Sequence, residues 1–211
     1  MTRILMVRHG HVEGIEPPRF RGRYELPLTE LGQRQAAATA ARIAANATVA
    51  AVWTSPAQRC VATGRAIAEA TGAPAEVVEA LNDLDYGDWT WLTHDAARQA
   101  DPDLYERWYS APPSVRFPGG ESLQDLVLRA GDALRLAAAE GVPDGSTLVL
   151  VTHDSVGRAV LLQALEQPLS AYRRLVMSPC SITEIDLAGA ATQVLGVNAT
   201  EHLAGCGEPA T

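Results

Sequence analysis

The chain has 211 residues, a net charge of −8 at pH 7 and 47% hydrophobic residues, values typical of one globular domain. All 17 basic side chains are arginine, which excludes lysine-based catalysis and the phosphate-binding loop that needs a lysine. The acidic balance argues against a nucleic-acid partner, and the longest apolar runs are too short to span a membrane. Three widely spaced cysteines without a CxxC pair indicate reduced thiols in a cytoplasmic protein.

Strand and helix patterns alternate along the first half of the chain. Short apolar runs predict strands at residues 3–7, 49–53 and 75–78. Thr29 is a suitable N-cap for an alanine-rich helix that extends to about residue 45. The Ser55-Pro56 pair predicts the cap and first turn of a second helix, which ends near residue 71.

The second half of the chain continues the alternation after a mixed segment. Residues 81–118 predict loops and short helices over one end of the sheet. Further elements are predicted as a helix at 123–139, a strand at 147–151, a helix at 155–165, and a strand pair at 182–187 and 193–197 around Gly189. This order predicts a three-layer α/β/α sandwich with a mostly parallel sheet. We expect a single domain over residues 1–203 and a disordered tail at 204–211.

Polar side chains follow three of the predicted strands. Arg8 and His9 follow the first strand, Arg59 lies one helical turn after the second, and His153 follows the strand at 147–151. Because ligands bind beyond the carboxyl ends of parallel strands, we expect these four side chains to meet. Each alone is more often structural, so the functional interpretation depends on their convergence.

The chemistry that suits these four side chains is phosphoryl transfer. Arginine binds the non-bridging oxygens of a phosphate through paired donors. A neutral imidazole can attack phosphorus and form a phosphohistidine, which water then hydrolyses. Neighbouring guanidiniums favour the neutral imidazole, because they disfavour a second positive charge. Gly10 lets backbone and ligand approach closely.

Six motifs, in order over roughly residues 4–200, make the prediction more specific. They are Arg8-His9-Gly10, the segment from Arg21-Gly22 through Leu26-Pro27-Leu28-Thr29 to Gln35-Ala36, Ser55-Pro56 with Arg59 and Thr63, Leu81 to Trp89, Gly120-Glu121-Ser122, and Val151-Thr152-His153. Together they resemble the histidine phosphatase superfamily, which has the phosphoglycerate mutase-like fold. A three-residue motif such as Arg-His-Gly recurs by chance in unrelated proteins, whereas six motifs in this order are specific to one family.

The resemblance implies a role for each matching residue. His9 would be the phosphorylated nucleophile, and Arg8, Arg59 and His153 would bind the phosphate. His153 would also stabilise the developing charge. Asp83 stands where the mutase-like branch has a glutamate that acts as general acid and base. Arg21 would lie near the entrance and contact phosphate or substrate.

Two departures leave the general acid open between two aspartates. Asp83 is one methylene shorter than the usual glutamate. Asp154 follows His153, and a His-Asp pair there resembles the acid phosphatase branch, in which that aspartate is the acid. We favour Asp83, because the surrounding motifs resemble the mutase-like branch.

Three other functions compete with a metal-independent phosphatase that needs no cofactor and acts on a small phosphate ester. A metal-dependent hydrolase could use His9, His11, His153 and Asp154 as ligands. A mutase would share His9 and its neighbours, although the short segment between Asp83 and Gly120 favours a phosphatase. A non-catalytic binder of phosphorylated ligands is the third. The oligomeric state is open, and a homodimer is one option.

A group of aromatic residues lies in the mixed segment. These are Trp89, Trp91, Tyr105, Trp108 and Phe117. The favoured interpretation is that they pack this segment together. The alternative is an aromatic-lined pocket for a partly apolar phosphoester, to which Glu13 and Trp91 would contribute.

Overall fold

The computed structural model describes residues 2–140, 142–143, 145–187 and 192–207, which include a six-stranded mixed sheet. The strands are β1 (Thr2–Arg8), β2 (Val49–Thr54), β3 (Ala75–Val77), β4 (Thr147–Thr152), β5 (Ile182–Leu187) and β6 (Gln193–Ala199). In the order β3-β2-β4-β1-β5-β6 the first four strands are parallel, and β5 and β6 are antiparallel to their neighbours. The predicted three-layer α/β/α sandwich is therefore confirmed.

Helices cover both faces of the sheet. They are α1 (Glu30–Asn46), α2 (Gln58–Thr71), α3 (His94–Ala100), α4 (Pro102–Ser110), α5 (Leu123–Glu140) and α6 (Asp154–Ala164). Helices α1 and α2 pack together on one face, and α5 and α6 pack together on the other. Among the described residues, no helix combines the length and the apolar character that a membrane span requires.

The two faces of the sheet build two separate hydrophobic cores. On β1, Ile4 and Met6 belong to the larger core, which also contains residues of α5 and α6. Leu5 and Val7 belong to the smaller core, with residues of α1 and α2. This alternation follows from the period of two along a strand. Each such side chain contributes about 1.5–3 kcal/mol to the stability of the fold when it is fully buried. This burial stabilises the sheet that carries the strand-end residues.

The predicted start of α1 is right, and that of α2 is wrong. Thr29 caps α1, and its hydroxyl accepts a backbone N–H hydrogen bond of the first turn at 3.2 Å. The Ser55-Pro56 pair does not begin α2, which starts at Gln58 without a side-chain cap. The Ser55 hydroxyl, after β2, instead lies 2.8 Å from Nε2 of His153, which follows β4. It therefore contacts a residue at the end of the neighbouring strand.

The aromatic residues of the mixed segment divide into two groups. Trp89, Tyr105, Trp108 and Phe117 are buried in the larger core, in accordance with the packing interpretation. Trp91 adopts a positive φ of 69° and stacks on Tyr24, with 4.5 Å between ring centroids. Trp91 therefore packs against the loop before α1.

The C-terminal prediction falls only partly on described residues. Residues 204–207 form a turn in which Cys206 is buried, and its carbonyl accepts a hydrogen bond from Arg34 at 2.9 Å. Residues 208–211 lie outside the described residues, as does the predicted turn around Gly189. The domain boundary at residue 203 stays a prediction.

Candidate active site

The predicted site residues lie at the carboxyl ends of adjacent parallel strands. The backbone N–H of His9 donates to Thr152 O at 2.9 Å, and that of Ser55 donates to Val151 O at 2.9 Å. These bonds continue the pairing of β1 and β2 with β4 by one residue. The loops after the three strands are therefore held in register, and their side chains meet at one edge.

Two glycines bring the loop after β1 against the start of α1. A Cβ on Gly10 would lie 2.5 Å from the carbonyl oxygen of Gly32, and a Cβ on Gly32 would lie 2.2 Å from that of His11. Any larger residue at either position would force the two backbones apart. In this structure Gly10 thus allows the loop after β1 to approach the backbone of α1 closely. The sequence had suggested that Gly10 allows a ligand to approach the backbone.

The ring of His9 has a defined tautomer. Its Nδ1 lies 2.7 Å from Gly10 O, and a carbonyl oxygen can only accept, so Nδ1 carries the proton. This leaves Nε2 with a free lone pair. Burial, followed by the charges of Arg59, His153 and Arg8, lowers the pKa of His9 well below its ordinary value. The ring is therefore neutral at neutral pH, and the lone pair of Nε2 is available.

The guanidinium of Arg59 is fully buried and held from several sides. NH1 donates to Tyr24 O at 2.9 Å, and NH2 donates to Gly22 O at 2.6 Å. NH2 also lies 3.2 Å from Asp83 Oδ2 and 3.1 Å from His153 Nδ1. The loop after β1 thus fixes the orientation of a cation beside both Asp83 and His153.

Arg8 provides a second buried cation. Its NH1 donates to the carbonyl of Met177, in the segment that precedes β5. Its Nε is buried and has no hydrogen-bond partner within the described ranges. An unpaired buried donor is costly, and an anion bound beside Arg8 would satisfy it.

His153 lies between a hydroxyl and a carboxylate. Its Nε2 is 2.8 Å from Ser55 Oγ, and its Nδ1 is 3.3 Å from Asp83 Oδ2. Its ring is 5.3 Å from that of His9 between centroids, in an edge-to-face arrangement. Burial and then the charge of Arg59 lower the pKa of His153 well below its ordinary value, so both imidazoles are neutral at neutral pH.

The two aspartates have opposite pKa shifts. Burial raises the pKa of Asp83, although the charge of Arg59 opposes this, and its Oδ1 accepts from the Ser155 hydroxyl and from Leu84 N. Burial also acts to raise the pKa of Asp154, but the charges of Arg8 and Arg158 outweigh it and lower that pKa. A raised pKa suits a proton donor, so the environments favour Asp83 over Asp154 as the acid.

The structure separates the metal ligands that the alternative hypothesis required. His11 turns away, with its Nδ1 2.9 Å from Thr29 Oγ1, and it lines a different cavity together with Glu13. Within the described ranges, no group of three His, Cys, Asp or Glu side chains has the arrangement of a metal site. The metal-dependent hypothesis thus finds no assembled ligand set there.

A cavity of about 300 Å³ leads to the site. Its lining includes Arg8, Arg21, Asp83 and Asp154, and we call these four residues its inner end because Arg8 and Asp154 adjoin His9 and His153 in sequence and Asp83 contacts His153. Arg21 is held by a hydrogen bond of 2.6 Å to Gly14 O. His9, Arg59 and His153 are at most 1% exposed and are not among the residues that line the cavity. The other lining residues, which we call the outer end, include Tyr86, His94, Trp108, Arg158, Tyr172 and Arg173.

Sequence reasoning missed several residues of this site. Ser55 and Ser155 contact His153 and Asp83, yet isolated serines carry no signal of such a role. Arg158 lies four residues after Asp154, a spacing that places two side chains on one helix face and could have predicted their ion pair. Arg173 reaches Trp108 across 65 residues of sequence, for which no local pattern exists.

The chain is similar to several known proteins in sequence and in structure. A sequence model of the histidine phosphatase superfamily (branch 1) matches residues 4–200. The bifunctional protein Rv2228c of Mycobacterium tuberculosis is 34% identical over 96% of this chain, which spans only 55% of that protein. A probable phosphoglycerate mutase GpmB of Cronobacter sakazakii is 31% identical over 88% of this chain and 85% of its own length. The structure of a mycobacterial glucosyl-3-phosphoglycerate phosphatase is 27% identical, with a TM-score of 0.82 over 94% of this chain and 99% of that one.

Proposed function

This chain belongs to the histidine phosphatase superfamily, and we propose that it is a metal-independent phosphomonoesterase that acts through a phosphohistidine on His9. The observation that carries the proposal is the free Nε2 of His9. It belongs to a neutral ring whose other nitrogen is bound to Gly10 O, and cationic Arg8 and Arg59 flank it. A nucleophile beside fixed cations is what an attack on a phosphate dianion requires.

The proposed first step transfers the phosphoryl group to the enzyme. Nε2 of His9 forms a bond to phosphorus while the bond from phosphorus to the ester oxygen breaks. Arg8, Arg59 and His153 hold the non-bridging oxygens, and the ester competes with Asp83 for the NH2 of Arg59. Asp83 gives its proton to the departing alcohol oxygen. The products are the free alcohol, phospho-His9 and the Asp83 carboxylate.

The proposed second step returns the enzyme to its starting state. Asp83 accepts a proton from a water molecule, whose oxygen attacks the phosphorus of phospho-His9. The bond from nitrogen to phosphorus breaks, and its electron pair returns to Nε2. Inorganic phosphate leaves, and Asp83 is protonated again. The raised pKa of Asp83 supports this exchange of roles, because the carboxyl can hold a proton above its ordinary range.

The test of this function is a His9→Ala variant assayed on para-nitrophenyl phosphate with and without EDTA. We expect a loss of at least about 10³-fold in kcat, no effect of EDTA on the unaltered protein, and a one-phosphoryl mass increase in rapidly quenched unaltered protein only. Full turnover by His9→Ala would contradict the proposal. Activity that EDTA abolishes and zinc restores would instead support a metal-dependent hydrolase. Phosphate binding without hydrolysis of any ester would support a non-catalytic binder.

A mutase is the second candidate function, because one relative is called a probable phosphoglycerate mutase. Both activities would use the same phosphohistidine, so they differ in what accepts the phosphoryl group. Labelled phospho-His9 should lose its label to water as fast as the steady-state rate if the protein is a phosphatase. Slow loss to water with fast transfer to added phosphoglycerate would establish the mutase.

A further inference from the structure

A cavity of about 150 Å³ lies between the end of α1 and the β5–β6 pair, and we call it the β6 cavity. It has no lining residue in common with the cavity that leads to the active site. Arg3 and Leu5 line it from β1, whereas the active site follows Arg8 at the other end of that strand. A strand rises about 3.3 Å per residue, so Leu5 lies about 10 Å before Arg8. The β6 cavity is therefore separate from the active site.

The β6 cavity has an apolar floor. Leu5 and Ile43 belong to the smaller hydrophobic core, and Ile182 and Ala47 pack against that core. An apolar cavity of about 150 Å³ is large enough to bind a benzene-sized molecule. The volume and the floor therefore suit a small apolar group.

Gly196 opens the β6 cavity on the side of β6. Glycine inside a strand weakens it and often marks a bulge or the close approach of a ligand. The β5–β6 pairing shifts register next to Gly196, but a bulge needs glycine only at a positive φ, which Gly196 does not adopt. A Cβ on Gly196 would meet no atom of the described residues within 4 Å. Neither the backbone nor a described neighbour thus requires glycine here, and a side chain would instead take up space at the cavity.

The charges around the β6 cavity are balanced. Arg3 pairs with Glu184 at 2.7 Å, and the exposed Arg42 and Glu201 carry one charge of each sign. Burial lowers the pKa of His202 below its ordinary value, so its ring is neutral at neutral pH. The lining therefore has no net charge, which favours a neutral ligand.

His202 offers this cavity a hydrogen-bond acceptor. Its Nε2 lies 3.1 Å from Cys180 O, and a carbonyl oxygen can only accept, so Nε2 carries the proton. Thr39 Oγ1 lies 3.0 Å from the same nitrogen and helps to fix the ring. Nδ1 keeps its lone pair, and no group within the described ranges donates to it. A ligand with one hydrogen-bond donor would complement this nitrogen.

We propose that the β6 cavity is a second small-molecule site, which takes a neutral, benzene-sized apolar group that bears one hydrogen-bond donor, such as a phenol. The apolar group would pack against Leu5, Ile43 and the backbone of Gly196, and its donor would bind Nδ1 of His202. The proposal is independent of the phosphatase activity, because no residue of this cavity takes part in the proposed mechanism.

The experiment titrates the ¹⁵N-labelled full chain with phenol, toluene and benzoate and follows the backbone amides by NMR. Phenol should bind with a Kd of about 1 mM or tighter, as a ligand of its size allows, and should shift the amides of Gly196, Ala199 and His202 most. Benzoate should bind there at least about tenfold more weakly, because a carboxylate loses its hydration without gaining a net opposite charge.

His202→Phe tests the acceptor and keeps an aromatic ring in place. The ratio of phenol affinity to toluene affinity should fall about tenfold in this variant, because the buried hydroxyl loses its partner while toluene has none to lose. The comparison is made within one variant, so a general change in stability does not affect it. A ratio that stays within about twofold of the original would overturn the role of His202.

Gly196→Leu tests the position of the site by filling the β6 cavity, and it should weaken phenol binding at least about tenfold. Gly196→Val, with a smaller side chain, should have an intermediate effect. The matched control is Gly205→Leu, because a Cβ on Gly205 also meets no described atom within 4 Å and Gly205 does not line the cavity. It should bind phenol like the unaltered protein.

Three other results would overturn the proposed site. They are no saturable binding of phenol to the unaltered protein, binding that both Gly196 variants retain within about twofold, and benzoate binding as tight as that of phenol at the same amides. Loss of phosphatase activity in any assay has no bearing on these outcomes, because binding is measured without turnover.

Discussion

The two ends of the cavity hold their arginines in different ways. Beside the inner end, Arg59 is fully buried and donates to two backbone carbonyls while it contacts Asp83 and His153. At the outer end, Arg173 lies on aromatic faces with a single carbonyl partner and no described carboxylate. The inner cation is thus held by four polar partners, whereas the outer one has Trp108 O as its hydrogen-bond partner among the described residues. Changes at the inner end should therefore reduce turnover, and those at the outer end should alter selectivity.

The largest expected effect comes from removing the inner cation. Arg59→Gln should lower kcat/KM by about 10³-fold, because an oriented donor to the transferred phosphoryl group is lost. It should also lower Tm, since the carbonyls of Gly22 and Tyr24 lose their donor. Arg65→Gln, at an exposed position on the same helix, is the control for both measurements. A loss of less than tenfold in Arg59→Gln would show that the inner end does not depend on this cation.

The next effect distinguishes the two aspartates. Asp83→Asn should slow hydrolysis of an alkyl phosphate, a poor leaving group, by about 10²-fold or more, because general acid catalysis contributes that much. The loss in rate should be smaller for para-nitrophenyl phosphate, because its leaving group needs little protonation. Asp154→Asn should cost less than tenfold on both esters, because Asp154 acts as the counter-ion of Arg158. The reverse order would assign the acid to Asp154, and near-normal rates in both variants would refute both assignments.

The inner end was largely predictable from sequence, for a physical reason. Residues that follow parallel strands must share one edge of the sheet, so Arg8, His9 and His153 converge once the strands are identified. Arg59 follows from the same logic, because it lies in the first turn of the helix after β2. The order of six motifs then supplied the family.

The outer end could not be predicted in this way. Arg173 lies in a short turn between Leu169 and Arg174, and its position depends on Trp108, which is distant in sequence. The role of Ser55 was predicted wrongly, because a serine before a proline resembles a helix cap and nothing local reveals His153. Contacts of this kind arise from tertiary packing. Cytoplasmic location and the absence of a nucleic-acid partner stay predictions.

A third prediction concerns the protonation of the inner histidine. Since burial and neighbouring cations lower the pKa of His9, its ring should stay neutral as pH falls through 6.5 and gain a proton only below that value. An unperturbed imidazole would lose about tenfold in its neutral fraction by about pH 5.5. An NMR titration of the histidine rings, with His9 assigned by its absence in His9→Ala, measures this. A midpoint at or above 6.5 would contradict the proposed neutral nucleophile.

The smallest effect tests how the surroundings of Asp83, the proposed general acid, set its pKa. The hydroxyl of Ser155 donates to Asp83 Oδ1, and this bond stabilises the carboxylate relative to the protonated acid. Ser155→Ala should therefore raise the pKa of Asp83 further. A hydrogen bond with a net contribution of about 1 kcal/mol corresponds to a pKa shift of somewhat less than one unit. The alkaline limb of kcat/KM on an alkyl phosphate should move to higher pH by about that amount, while the plateau changes only a few-fold.

The matched change at the same edge is Ser55→Ala, which removes a hydroxyl from His153 and leaves the contacts of Asp83 in place. That variant should lower the plateau without moving the alkaline limb. If Ser155→Ala lowered the plateau and left the limb where it was, Ser155 would have only a packing role. The limb would then report a group other than Asp83. If Asp83→Asn still showed the limb, the same conclusion would follow independently, because an amide has no proton to lose in that range.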